Sequence, residues 1–350
     1  MRNLPIGFSL LSIAAIAGCS LSSSPSTPVG ADPAEAGGKA DSIGASSLPE
    51  VTCGDDPQTG PKSWRHPHNS PITTSDGDAL HRGIDLITSA DAATQTIEGQ
   101  IRYGHLIDDP LKDEGVDLFA CREGAWQSLG SSITDNDGHF ALALTGDARL
   151  PLGMRDMFVS VQGDRTSARF LALVAPTGTE IAFSDCDGTL TSSENAYPDS
   201  LLTGATVGAN EGAANALITL RQRNYLVVYL TARALYFTQD TRDWLWQNGF
   251  PMGPLRFAPG IIFSSSSTAD YKASSIATIA ATGLVPKIGI GNRATDEQAY
   301  SREHIDGENI FLKMPEFESE CADLFTQGKA VSVTSYVDIT PTFAEMPVAP

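Results

Sequence analysis

The chain has 350 residues, 41% hydrophobic and 19% charged, which is enough to bury two domain-sized cores. With 23 Lys and Arg against 42 Asp and Glu, its formal net charge is −19. Nucleic acid and anionic membrane surfaces both draw in clustered cations, so this charge excludes nucleic acid as a partner and gives no electrostatic docking on a bilayer. A phosphate would have to be met by a metal ion or a few local cations.

Taken in chain order, the first element is a processing segment. Arg2 precedes an apolar stretch from Leu4 to Ala17. That is shorter than the ~20 residues of a transmembrane helix and fits the ~7–15 of a secretory core. Its end, Ile16-Ala17-Gly18-Cys19, resembles a bacterial lipobox. The resemblance implies removal of residues 1–18, lipidation of Cys19, and an exported protein held to the cell envelope, with Ser20 compatible with outer-membrane sorting. Two or three acyl chains, at ~0.8 kcal/mol per buried CH₂, anchor stably without help from charge.

Residues 19–78 are expected to be a flexible tether. From Ser20 to Pro49 the chain is mostly Ser, Pro, Gly and Ala and cannot bury a core. Its His66-x-His68 pair has no partner ligands nearby, so a linker or a docked edge is the better reading. Four further cysteines, Cys53, Cys121, Cys186 and Cys321, allow three full pairings that spacing cannot separate. Cys186 is expected to stay reduced on a buried strand end, and no C-x-x-C points to zinc.

Residues 79–178 carry short strand-like runs: TIEGQIRYG, GVDLFAC, HFALALTG, DMFVSVQG and ARFLALVAP. Each is bounded by Gly, Asp or Pro, the rhythm of an all-β, immunoglobulin-like sandwich. TDNDGHF at 134–140 reads as a hairpin turn around Gly138. The calcium-loop alternative lacks the distal Glu.

Residues 179–350 alternate strand and helix. Strands are expected at EIAFSD (180–185), 225–230, 260–263, 287–291 and 308–313, with helices at 210–223, 234–249 and 271–282. That alternation predicts a three-layer, Rossmann-like parallel sheet with helices on both faces. Ligands bind such sheets at the carboxyl ends of the strands. Asp185, Thr231 and Asn292 all fall there.

The decisive stretch is Asp185-Cys186-Asp187-Gly188-Thr189-Leu190-Thr191, which sets two like charges at the mouth of a buried strand, where carboxylates are costly. Leu230-Thr231-Ala232-Arg233, Lys272 and Gly291-Asn292-Arg293-Ala294-Thr295-Asp296 follow in order. Together these resemble the haloacid-dehalogenase (HAD) superfamily of phosphotransferases. The resemblance implies that Asp185 attacks phosphorus to form an aspartyl-phosphate, and that Asp187 serves as acid and then base. It implies that Thr231 and Lys272 bind the phosphoryl oxygens, with Gly188 and Thr189 turning the backbone past them. It also implies a Mg²⁺ held by Asp185, the Asp187 carbonyl, Asn292 and Asp296, directly or through water. A divalent ion makes the acidic pair tolerable. Lys272 as a solvated helix Lys paired with Asp270 is the weighed alternative.

DCDGTLT, the stretch from YLVVYLTARALY to GIIF, and GNRATDEQAY are similar to the catalytic region of the lipins. That LNS2-type region is also present in the membrane-associated phosphatidylinositol transfer proteins. The lipins are Mg²⁺-dependent phosphatidate phosphatases, whereas the region in the transfer proteins has lost catalytic aspartates and binds phosphatidate. The preceding sandwich resembles the one joined to such regions. Both aspartates are present here, so the resemblance implies the catalytic branch. The short gaps after Asp187 and Phe263 leave no room for a cap domain, and an open cleft favours a bulky phosphomonoester. Hydrolysis of soluble exported phosphomonoesters and a non-catalytic phosphatidate-binding module remain the alternatives.

Overall fold

A computed structural model describes residues 48–69, 78–104, 108–196, 207–260 and 264–350. The signal segment, Cys19 and most of the expected tether lie outside the described residues. No described helix is long and apolar enough to cross a membrane.

Among the described residues the chain begins with β1 (Glu50–Val51), β2 (Asp78–Ala79), β3 (Arg82–Ile84), β4 (Leu86–Ser89), β5 (Thr94–Gln100), β6 (Arg102–Gly104) and β7 (Asp108–Pro110). It continues with β8 (Gly115–Arg122), β9 (Ala125–Ile133), β10 (His139–Thr145), β11 (Gly153–Val161) and β12 (Ser167–Ala175). One sheet runs β4-β12-β11-β8-β9 and another β10-β5-β3. Alternation decides which side chains go inside: along β5, Gln95, Ile97 and Gly99 are buried while Thr94, Thr96 and Glu98 face water. Ile97 and Phe140 from one sheet meet Leu118, Met157 and Phe170 from the other, so this is a sandwich with a core of its own. At 134–140 the expected turn is present: Asp135 Oδ1 accepts from the backbone N–H groups of Asp137 and His139, and Gly138 has φ +77°.

The second half supplies β13 (Glu180–Ser184), α1 (Ala213–Gln222), β14 (Leu226–Ala234), α2 (Thr238–Gln247), β15 (Leu255–Ala258) and α3 (Ser265–Ala280). It ends with β16 (Val285–Gly291), α4 (Ala294–Arg302), β17 (Ile310–Lys313), α5 (Glu318–Thr326), β18 (Val331–Val333) and α6 (Tyr336–Glu345). The six strands pair in parallel in the order β15-β14-β13-β16-β17-β18. β13 lies inside, buried on both faces. Ile181 and Phe183 pack with Ile276, Ile279 and Tyr300 of α3 and α4, whereas Ala182 packs with Leu217, Leu220 and Trp244 of α1 and α2. This is the expected three-layer α/β architecture preceded by a β-sandwich. The third strand is Leu255–Ala258 rather than 260–263, of which 261–263 lie outside the described residues.

The two halves share a core, because Ile87, Leu171 and Leu173 of the sandwich join Ile181, Phe183 and Val228 of the α/β layer. Asp85, 2% exposed, ties them. Its carboxylate accepts from Leu171 N, from Leu255 N on the edge strand β15, and from Arg242 on α2.

The expected tether ends earlier than residue 78. Residues 48–69 lie on the sandwich: β1 pairs with β11, Cys53 is disulfide-bonded to Cys121, and the Trp64 ring occupies the space a Cβ at Gly163 would need. The buried Glu114 carboxylate accepts from the N–H groups of Arg65 and His66, at 2.9 and 2.8 Å. These partners are 48 or more residues away, so a local reading of a polar, Pro-containing stretch misses them. His66 bonds Asp113 at 2.7 Å. Cys186 and Cys321 are free and buried.

Candidate active site

Strand register brings the motif residues level. Ser184 pairs with Tyr229 on β14 and with Ile290 on β16, so Asp185 stands level with Leu230 and Gly291. Thr231 and Asn292 are then one residue further along, at the same end of the sheet. Asp185 N–H donates to the Ile290 carbonyl at 2.8 Å, which extends the pairing to the nucleophile candidate itself.

Beyond Asp185 the chain turns sharply. Leu190 and Thr191 N–H both donate to the Cys186 carbonyl, and Gly188 N–H donates to Thr191 Oγ1 at 2.8 Å. Gly188 has φ +66°, and a Cβ there would lie 2.0 Å from Asn292 Nδ2. Only glycine satisfies both the backbone conformation and the close approach. Thr189 Oγ1 donates to Asp185 Oδ2 at 3.0 Å.

Lys272, on α3, is buried, with its ammonium between two carboxylates: Asp185 Oδ1 at 2.6 Å and Asp296 Oδ1 at 2.5 Å. The reading of Lys272 as a solvated surface residue is thereby set aside, and Asp270 bonds Arg302 instead. Asp296 Oδ2 accepts from the N–H groups of Asn292 and Arg293, both at 3.0 Å. Both Asp296 oxygens therefore have partners, and Asp296 holds Lys272 and the Asn292 loop in place. Thr231 is fully buried, and its Oγ1 accepts from Arg233 N–H.

Two residues given no role from sequence complete the site: Arg233, quoted in the second motif, and Glu194, three residues beyond the first. Arg233 grips Asp187 with two bonds, Nη2 to Oδ1 at 2.6 Å and Nε to Oδ2 at 2.9 Å. Glu194 accepts from Asn292 Nδ2 at 2.9 Å, and this contact turns the other amide atom, Oδ1, away from Glu194. Thr-Ala-Arg after a strand and an acidic residue after the Asp-x-Asp loop were visible in the sequence. What paired with each was not.

The charges do not balance. Asp185, Asp187, Glu194, Asp296 and Glu320 set five carboxylates against Lys272, Arg233 and Arg293, which pairs with both Glu194 and Glu320, a formal excess of two negative charges. Burial pushes the Asp185 carboxyl up, Lys272 opposes this, and Asp296, Glu194 and Asp187 add to it. Burial likewise disfavours the Lys272 ammonium, but Asp185 and Asp296 outweigh it and hold Lys272 protonated. Burial also pushes Glu194 up. A divalent cation fits this donor set: it cancels the excess, and the carboxylate of Asp185, the backbone oxygen of Asp187 and the amide oxygen of Asn292 are the hard oxygen ligands such an ion takes. The grouping is mixed in kind. Among the described residues, three carboxylate or His donors converge only at Asp135, Asp137 and His139, on the exposed hairpin tip.

Residues 182–313 match the LNS2 domain of PITM 1-3. The beta-sandwich domain of PITM 1-3 matches residues 79–174. Membrane-associated phosphatidylinositol transfer protein 3 from Mus musculus is 29% identical over 187 residues, 53% of this chain and 18% of that protein. Protein retinal degeneration B from Drosophila melanogaster is 28% identical over 186 residues, covering 52% and 14%. The chain thus spans less than a fifth of these relatives. Among solved structures, D,D-heptose 1,7-bisphosphate phosphatase from B. bronchiseptica, complexed with magnesium and phosphate, superposes with TM-score 0.33 at 14% identity, over 47% of this chain and 97% of that one. The cobalt-bound deoxy-D-mannose-octulosonate 8-phosphate phosphatase from Haemophilus influenzae gives TM-score 0.30 at 10% identity, over 48% and 87%.

Proposed function

We propose that the chain is a divalent-metal-dependent phosphomonoester phosphatase acting on a lipid phosphate, foremost phosphatidate, with diacylglycerol as product. One observation carries the reading: a buried aspartate at a strand tip, neutralised by Lys272 at 2.6 Å, within a cluster that keeps two surplus negative charges. Asp185, the Asp187 carbonyl and Asn292 would hold Mg²⁺, with Asp296, whose oxygens already bond Lys272 and the Asn292 loop, reaching it through water; the bound ion would offset the charge of the phosphoryl group.

The residues of the chain do the rest. An Asp185 carboxylate oxygen forms a bond to phosphorus while the bond to the alcohol oxygen breaks, and Asp187 gives that oxygen a proton. Water then attacks the phosphoryl group, the Asp185–phosphorus bond breaks, inorganic phosphate leaves, and Asp187 takes up the proton of the water. Thr231 and Lys272 would bind the phosphoryl oxygens. Thr189 orients Asp185.

The lipid part rests on three supports. The domain match is to proteins named for phosphatidylinositol transfer at membranes. The connections from β13 to α1 and from β15 to α3 span residues 185–212 and 259–264, too short for a folded cap domain over the strand tips. A lipidated Cys19 would hold the enzyme at the bilayer of the cell envelope at high effective concentration. In this reading residues 1–18 are the signal, the tether precedes residue 48, and 79–178 and 179–350 are the two domains.

The test compares phosphate release from phosphatidate in mixed micelles with release from glycerol 3-phosphate, each with and without Mg²⁺. We expect Mg²⁺-dependent release that favours phosphatidate and is abolished by Asp185→Asn. Equal or faster release from glycerol 3-phosphate would leave a phosphatase of soluble esters. Phosphatidate binding without release would leave a binding module.

A further inference from the structure

The role of Arg233 goes beyond the proposed reaction and rests on it. Its side chain is 4% exposed, while that of Asp187 is 20% exposed. The cation is therefore the more buried partner of the pair, and the carboxylate the more exposed one. Arg233 Nη1 donates to Thr241 Oγ1 on α2 at 2.8 Å, and Thr241 is fully buried. The guanidinium is thus fixed from behind by a helix and bonded in front to both oxygens of one carboxylate. A planar fork bonded to both oxygens stops the carboxylate from rotating about its last torsion. A pair that only stapled the fold could as well bury the carboxylate and leave the cation outside. Here the acidic partner is the more exposed one.

We propose that Arg233, anchored by Thr241, is the positioning residue for Asp187, and that it sets the open edge of that carboxylate against the water that cleaves the phosphorylated Asp185. In that step a water oxygen bonds to phosphorus, the bond from phosphorus to the Asp185 oxygen breaks, and the proton of the water passes to Asp187. Inorganic phosphate leaves, and Asp185 is regenerated as a carboxylate. No other reactant is needed. Without Arg233 the Asp187 carboxylate turns freely and the second step slows. The first step is spared when the departing group leaves without a proton.

The experiment uses the full chain with Mg²⁺ and p-nitrophenyl phosphate, whose phenolate needs no acid to leave, followed by rapid quench. For the unsubstituted protein we expect steady release without accumulated phosphoenzyme. For Arg233→Gln we expect a burst approaching one p-nitrophenol per chain, phosphate trapped on the protein, and steady turnover lowered about 10²-fold. Arg233→Lys should recover part of the turnover, since it restores the charge but not the fork. Thr241→Val, which removes only the anchor, should give a smaller burst of the same kind and covers the case in which Arg233→Gln misfolds. Burst and turnover slowed in equal proportion in the folded variants, with no trapped phosphate, would overturn the inference and leave the phosphatase reading intact. No hydrolysis by the unsubstituted protein, or hydrolysis surviving Asp185→Asn, would overturn both.

Discussion

Replacing Asp85 with alanine should loosen the sandwich from the α/β layer, and the size of the effect follows from its bonds. The carboxylate, 2% exposed, accepts from two backbone donors, Leu171 N and Leu255 N, both at 2.8 Å, and from Arg242 Nη2 at 2.9 and 3.0 Å. Each backbone N–H left without an acceptor costs about 1–2 kcal/mol. The Arg242 guanidinium keeps 19% exposure, so solvent screens part of its lost pair and it adds about 1 kcal/mol. The total is about 4 kcal/mol, a large share of a typical stability of about 5–15 kcal/mol. Melting should fall by about 8–16 °C, at about 2–4 °C per kcal/mol for a chain of this size. Asp85→Asn, which keeps one acceptor oxygen, should lose about half as much. The measurement is urea unfolding followed by tryptophan fluorescence, with the melting temperature as a second reading. A loss below about 1 kcal/mol for Asp85→Ala would refute the claim that this carboxylate ties the two layers.

Three further predictions follow from single features. Gly188→Ala should abolish phosphate release and weaken Mg²⁺ binding measured by calorimetry, because its Cβ would press on Asn292 Nδ2 at 2.0 Å; retained binding would contradict the packing argument. His81 is held neutral: burial lowers its pKa from 6.5 to about 4 against the opposing pull of Asp164. Between those values the unfolded chain binds a proton that the folded chain does not, so this contribution is complete above pH 6.5 and is lost as pH falls towards 4, about 3 kcal/mol in all. Urea midpoints measured across that range should fall more steeply for the unsubstituted protein than for His81→Gln, and parallel curves would count against the assignment. Reduction of Cys53–Cys121, which closes a loop of 68 residues, should cost about 4 kcal/mol by chain entropy, read as a lower urea midpoint in dithiothreitol; an unchanged midpoint would contradict it.

The fold class was legible in the sequence, and so was the end of the sheet at which the candidate site residues gather. Asp185, Thr231 and Asn292 each end an apolar run, and carboxylates at such a place demand a reason, so the strand tips could be read directly. What a local reading does not show depends on distant partners. β9, AWQSLGSSI, is largely exposed and carries no apolar alternation; it is a strand because β8 offers it an edge. Arg256 interrupts the apolar run of Leu255–Ala258 and hides the strand from a local reading; its charge is accommodated by a bond to the Asp85 carbonyl of the sandwich. α6 contains Pro341, which a local reading takes as a break, yet the helix packs Phe343 in the core and bonds Tyr336 Oη to the Thr189 carbonyl over the site loop. Arg233 and Glu194 were visible as residue types, but their partners Asp187 and Asn292 lie 46 and 98 positions away.

The most direct test of the account is to treat the protein with Mg²⁺ and beryllium fluoride and determine the structure of the adduct. The account places the beryllofluoride on Asp185, with Lys272 and Thr231 on its fluorines and a metal ion between Asp185 and Asn292. A pocket that binds neither metal nor fluoride, or an adduct on any other residue, would contradict it.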